Sequence, residues 1–241
     1  MIQNNLIHKK SNIRFDSNIP VKRYERKYEI SYWVTNSIKG LLLSKGFKKQ
    51  FPDRIVNSLY YEDKSLSCFS SAMNGESLRY KIRLRFYNDG DKGYQIEKKI
   101  KQDDKNWKKF HTLDSPYLGN LLPIVDNSKR VLFKISHVPE NIEDIYKPIS
   151  FVSYKREYYV SKDNNLRITI DKNVNFLQAK LNQEKIQLLR FRKLNHHILE
   201  AKYDQNYNLD LGLIYDMSNK LNLILSKSSK YCKSISFLYN Y

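Results

Sequence analysis

The chain has 241 residues and carries 43 Lys+Arg against 25 Asp+Glu, a formal net charge of +18 with an isoelectric point near 9.6. Its 41% hydrophobic and 13% aromatic content excludes wholesale disorder and leaves enough apolar surface for one large domain. No run of ten apolar residues occurs, so neither a membrane-spanning helix nor a signal-peptide core is expected, and the chain reads as cytoplasmic. Cys68 and Cys232 stand far apart without CxxC or Cys/His spacing, which argues against a disulfide scaffold and a structural zinc.

Residues 1–20 lack periodicity and end at Pro20, and read as a loose extension before a single domain over 21–241. From Val21 to Ser31 the chain alternates: Arg23, Glu25, Lys27 and Glu29 share one face, and Tyr24, Arg26, Tyr28 and Ile30 share the other, as in a strand. Ser31 is placed to cap a helix whose Val34, Ile38, Leu41 and Leu42 form one apolar stripe, with Gly46 as its stop. Strands follow at Arg54 to Asp63, at Ser77 to Tyr87 and, after an Asn88-Asp89-Gly90 turn, at Tyr94 to Lys101. A short basic strand spans Trp107 to Leu113. The stretch 114–150 holds four prolines and two short helical patterns, near 118–122 and 127–135, and reads as a helical insertion. Strands resume at Phe151 to Ser161, Leu166 to Phe176 and His197 to Tyr203. The last stretch has helical spacing at Leu213, Met217, Leu221 and Ile224. The adjacent His196 and His197 point to opposite sides of a strand, cannot chelate one ion together, and read as loop or surface residues.

An excess of positive charge this large attracts polyanions, and the candidates are nucleic acid, anionic lipid, nucleoside triphosphate and polyphosphate. The pattern narrows the choice. In Ser77 to Tyr87, Lys81, Arg83 and Arg85 share one face while Tyr80, Ile82, Leu84 and Phe86 share the other. Charged dyads recur at Glu25/Lys27, Glu97/Lys99, Arg167 with Asp171, and Glu200/Lys202. The apolar faces must pack on helices, so the charged faces point away from them, and they converge if the sheet closes. About eight antiparallel strands just enclose a small cavity. A lining of arginines and lysines is too repulsive to persist without a polyanion, and carboxylates among them suit a divalent cation that bridges phosphate oxygens. RNA is disfavoured as the main ligand, because RGG runs and RNP-type aromatic motifs are absent from the sequence.

The motifs RYERKY at 23–28, NSLYYED at 57–63, KIRLRFY at 81–87, IEKK at 96–99, YKREYY at 154–159, LRITID at 166–171, LEAK at 199–202 and KSSKY at 227–231 follow one another in an order that resembles the VTC domain. That is the polyphosphate-polymerase domain of vacuolar transporter chaperones, within the triphosphate tunnel metalloenzyme (CYTH-like) superfamily. The resemblance implies an α+β fold, an eight-stranded antiparallel closed barrel flanked by helices. It also implies an enzyme that binds ATP and inorganic polyphosphate with Mn2+ or Mg2+. By position, Lys27, Arg83, Arg85, Lys99, Arg156, Arg167 and Lys202 would hold phosphates. Lys227, Ser229 and Lys230 would close one mouth from the C-terminal helix, and Lys109 would contribute, unless a shifted register puts Lys108 in its place. Glu200 would be the principal metal ligand, with Glu25 and Glu97 assisting or orienting lysines. The superfamily's ExExK pattern stands here as Arg23-x-Glu25-x-Lys27, which fits the polymerase branch better than the hydrolases. Transfer of the ATP γ-phosphoryl group to a growing polyphosphate chain is the expected reaction. The alternatives are a tripolyphosphatase or nucleoside triphosphatase of the same fold, or a domain that only binds polyphosphate.

Overall fold

The computed structural model describes residues 16–17, 23–88, 93–103, 105–113, 132–134, 146–182, 185–204, 211–226 and 229–241. One antiparallel sheet dominates. Its hydrogen-bonded path runs through ten strands in the order β1 (Asp16–Ser17), β6 (Lys105–Leu113), β5 (Tyr94–Gln102), β4 (Leu78–Tyr87), β3 (Lys48–Glu62), β8 (Lys147–Val160), β9 (Leu166–Asn182), β11 (His197–Asp204), β2 (Arg23–Ile30) and β12 (Ile224–Leu225). Two more strands lie off this path: β10 (Lys185–Lys193) pairs with β9, and β7 (Leu132–Lys134) pairs with β10. Four helices accompany the sheet among the described residues: α1 (Tyr32–Ser44), α2 (Ser67–Met73), α3 (Leu211–Lys220) and α4 (Lys230–Tyr239).

The fold is therefore α+β as expected, but the sheet is not a closed eight-stranded barrel. Among the described residues no backbone ladder joins its two ends. The edge of β2 that closure would need is occupied by β12, in register Ile224↔Glu29 and Leu225↔Tyr28, and the Ser226 amide donates to the Lys27 carbonyl at 2.8 Å. The sheet curls nonetheless. β2 and β5 stand near opposite ends of the path, yet Lys99 on β5 comes within 3.8 Å of Glu25 on β2. Side chains, rather than amides, join the ends.

Three apolar clusters fix this curl. On the convex side, Ile38 and Leu42 of α1 and Ile214 and Met217 of α3 pack on Tyr28 and Ile30 of β2, Ile168 and Ile170 of β9, and Leu199 of β11. The long β9 then runs on with β10, so that Leu177, Ile186 and Leu188 cover Leu59, Ile82, Leu84 and Ile96 of β3, β4 and β5. On the concave side, α4 brings Tyr231, Ile235 and Leu238 against Val56, Val152 and Phe176. Helices thus lie on both faces of the sheet, and α4 takes up part of the concave side that also carries the charges.

Several local expectations need correction. Ser31 precedes α1, but its side chain makes no cap, and its carbonyl accepts from Thr35 Oγ1 at 3.2 Å. Gly46 does stop the helix at φ +79°, where an added Cβ would run into the Lys162 side chain. In the stretch read as a helical insertion, the described parts are the strand β7 and the start of β8, and the rest lies outside the described residues. The 1–20 extension supplies β1, which pairs with β6; its other residues also lie outside. Ile224 belongs to an exposed strand rather than to the helix of Leu213 and Met217, because α3 ends at Lys220 and the chain turns at Leu221 and Asn222. His197 is buried, with Nδ1 2.7 Å from Thr35 Oγ1, and burial pushes its pKa down to about 4.

Candidate active site

The concave face holds a cavity of about 990 Å3 lined by eleven lysines and arginines against two glutamates, Glu25 and Glu200. Period 2 explains how distant segments meet there. In an antiparallel pair the residues directly opposite share a face. The registers Lys81↔Lys99, Arg83↔Glu97, Arg83↔Tyr60, Arg156↔Asp171, Lys202↔Arg167, Lys202↔Glu25 and Glu200↔Lys27 therefore carry one charged surface around the curl.

Of the residues expected to hold phosphate, Lys27, Arg83, Arg85, Lys99, Arg156, Lys202, Ser229 and Lys230 all line this cavity. Arg167 shares their face but is not part of the lining, and Lys227 lies outside the described residues. Lys109 is exposed and pairs with Lys98, whereas Lys108 pairs with Lys99 and reaches Glu97 Oε1 at 3.3 Å. A strand reverses the face of every side chain when its register slips by one, so Lys108, opposite Lys99, shares the charged face and Lys109 does not, although neither is among the residues that line the cavity. Sequence reasoning left out Lys81, Arg79, Lys101, Tyr60, Tyr154 and Tyr231, which also line the cavity. The Lys81-x-Arg83-x-Arg85 alternation was the available signal for the first.

Carboxylates position the cations. Both Nε and Nη2 of Arg83 donate to Glu97 Oε2, at 2.8 and 2.5 Å, while Nη1 reaches the Tyr60 hydroxyl at 3.3 Å. Burial works against both charges, but the Arg83 guanidinium holds the Glu97 carboxyl well below the ordinary range, and Glu97 in turn raises Arg83. Arg156 forks onto Asp171 with Nε–Oδ1 at 2.5 Å and Nη2–Oδ2 at 2.7 Å, and Lys230 pairs with the same fully buried carboxylate. Despite burial, these two cations keep the Asp171 pKa low. Arg85 differs: its guanidinium reaches Ser58 Oγ at 3.2 Å and the Tyr154 hydroxyl at 3.5 Å, and among the described residues no carboxylate pairs with it.

Glu25 sits among Lys27, Lys99 at 3.8 Å and Lys202 at 3.5 Å. Burial and the neighbouring Glu200 both work to raise its pKa, yet the three ammonium groups bring it down to about 2. Burial dominates at Lys99, whose pKa falls to about 8 although Glu25 pulls the other way. Its side chain keeps 41% of its surface open, which in a curled sheet is the cavity itself.

Among the described residues no three His, Cys, Asp or Glu side chains come together as a ready metal cage. Glu25 and Glu200 nevertheless converge on one ammonium, Lys202, at 3.5 and 2.5 Å. The Glu200 Oε1 atom is buried and lacks a well-directed hydrogen bond. Two carboxylates of this kind suit a small divalent ion that takes its remaining ligands from phosphate oxygens and water. Both oxygens of Glu97 are already engaged by Arg83 and Lys108, which is the geometry of an orienting residue.

The chain matches the sequence model of the VTC domain over residues 7–239. None of the curated proteins matches it. Among solved structures, a Vibrio parahaemolyticus protein named as an adenylate cyclase superposes with a TM-score of 0.51 at 11% identity, covering 90% of this chain and 99% of its own. A Hippeastrum protein named as an adenylyl cyclase with a dominant triphosphatase activity gives 0.49 at 11% identity, covering 88% and 95%. At such identities the first of these likenesses shows a shared fold. The family match spans almost the whole chain, and the chain belongs to the VTC-domain family.

Proposed function

We propose that the cavity binds the triphosphate of ATP together with inorganic polyphosphate, and that the chain transfers the terminal phosphoryl group to the end of the polyphosphate chain. The observation that carries this reading is the excess of cations, eleven against two glutamates, around one cavity of about 990 Å3. So many cations at close quarters need a polyanion to offset their repulsion, and a phosphate chain supplies charged oxygens that guanidinium and ammonium groups bind. Arg85 binds nonbridging oxygens through its guanidinium fork, and Arg83 and Arg156 through the N–H groups that Glu97 and Asp171 leave free, while Lys27, Lys99 and Lys202 act as point charges. Preorganised in this way, they stabilise the charge that spreads over the transferring group and hold acceptor and donor in line. Glu25 and Glu200 would hold a divalent cation, which supplies charge neutralisation at the phosphate oxygens when bound. Glu97 keeps Arg83 in its forked pose.

Incubation of the purified chain with ATP and Mn2+ tests the reading, with chain length and ADP release as the readouts. Growth of polyphosphate supports it, and release of inorganic phosphate without growth would make the chain a triphosphatase. Absence of turnover, with tripolyphosphate still bound, would leave a binding domain only. Glu200→Gln is expected to raise the Mn2+ concentration needed for half-maximal rate about tenfold or more, in line with the loss of one charged ligand.

Lys99 gives the pH dependence its sign. Its folded pKa of about 8 lies below the ordinary 10.5, so between these values the unfolded chain binds more protons, and stability rises with pH across that window. An incoming polyanion restores the charge, so binding takes up a proton. Affinity for tripolyphosphate therefore falls as pH rises through about 8, and calorimetry on Lys99→Met should show a flatter profile over the same range.

A further inference from the structure

We propose that Ser229 is itself a phosphoryl acceptor, with Lys81 as its general base, so that the chain phosphorylates its own cavity wall from a nucleoside triphosphate. The proposal rests on the reading above for the presence of a triphosphate in the cavity, and goes beyond it in naming a protein nucleophile.

The geometry is that of a serine–lysine dyad. Lys81 Nζ lies 2.8 Å from Ser229 Oγ, and both residues line the cavity. Lys81 stands opposite Lys99 on β5, next to Arg83, and its ammonium lies 5.1 Å from the centre of the Tyr231 ring. Among the described residues no carboxylate pairs with Lys81, in contrast to Arg83, Arg156, Lys202 and Lys230. Burial, reinforced by Lys27 and Arg83, lowers its pKa below the ordinary 10.5. That is the environment in which a lysine gives up a proton and serves as a base. Ser229 is the N-cap of α4, and its Oγ accepts the Cys232 amide at 3.1 Å. An oxygen held there by an amide at a helix N-terminus is stabilised as charge develops on it.

In the step, Lys81 enters as the neutral amine, its own proton already released to solvent; Ser229 Oγ bonds to the terminal phosphorus of the triphosphate and its proton passes to Lys81 Nζ. The bond from that phosphorus to its bridging oxygen breaks, and the nucleoside diphosphate leaves with the bonding pair. Lys230, one residue on, also lines the cavity and adds positive charge near the resulting phosphoserine, with Asp171 as its present partner. Such a group is a fixed end to which further phosphoryl groups could be added.

The test is intact-mass and peptide mass spectrometry of the full chain after incubation with ATP and Mn2+. A gain of one or more phosphoryl groups on Ser229 is expected. Ser229→Gly, which keeps a residue tolerated at an N-cap, should abolish it, and Ser228→Ala should leave it unchanged. Lys81→Arg keeps the positive charge but cannot act as a base, so at saturating ATP it should slow labelling about 100-fold or more. Polyphosphate synthesis without any mass gain on the chain would overturn this proposal and leave the assigned function standing. Labelling that persists in Lys81→Arg would remove Lys81 from the step.

Discussion

Arg85→Ala is expected to weaken tripolyphosphate binding by about 10- to 100-fold, the loss of one charged hydrogen-bonding group, while leaving the unfolding midpoint nearly unchanged. Arg83→Ala, two residues away on the same face, should lose binding and stability together. The difference lies in their partners. Arg85 leans on Ser58 and Tyr154. Arg83 neutralises Glu97, which is 2% exposed, and removing one side of a buried pair costs about 3–5 kcal/mol. Adding Glu97→Gln to Arg83→Ala should recover much of that stability and none of the affinity. Calorimetry with tripolyphosphate and urea unfolding of the three variants separate these outcomes. Equal destabilisation by both single substitutions would mean that Glu97 is not held as described. For the same reason a double Arg83→Ala, Arg85→Ala variant is no clean probe of binding.

Asp171→Ala carries an equally large expected cost to stability, about 3–5 kcal/mol, because it strips Arg156 and Lys230 of a carboxylate they share. The two cations then repel each other and their neighbours. A bound polyanion replaces the missing carboxylate, so saturating tripolyphosphate should raise the unfolding midpoint more in Asp171→Ala than in the natural chain. Thermal unfolding with and without the anion measures this directly. A variant as stable as the natural chain, or one indifferent to tripolyphosphate, would separate Asp171 from the cation cluster.

Much of the site was written in the local pattern. The strict alternation of Lys81 to Phe86 puts Ile82, Leu84 and Phe86 on the convex side and Lys81, Arg83 and Arg85 on the concave side, and the structure keeps that division, while Tyr80 at the start of the run reaches the cavity. What the pattern lacked was long-range register. Whether Lys108 or Lys109 shares the charged face depends on how β6 pairs with β5, and the two are adjacent lysines, so no local signal separates them. β10 escaped notice because KIQLLRFRK places Leu188 and Leu189 side by side and breaks the alternation, at the point where a register shift occurs between Leu189 and Phe191. The position of α4 was illegible for another reason. An amphipathic helix states that it packs, not on which side of a sheet, and α4 packs on the side that carries the charges. Closure failed as an expectation because β12, two residues long and exposed, gives no periodic signal, yet it takes the edge of β2.

A crystal structure with bound tripolyphosphate tests the central claim most directly. The account predicts one anion inside the cavity, with Lys27 from β2 and Arg83 or Arg85 from β4 both within hydrogen-bonding distance of its oxygens. An anion held only on the outer surface, or β2 and β5 standing too far apart for Glu25 and Lys99 to meet, would contradict it.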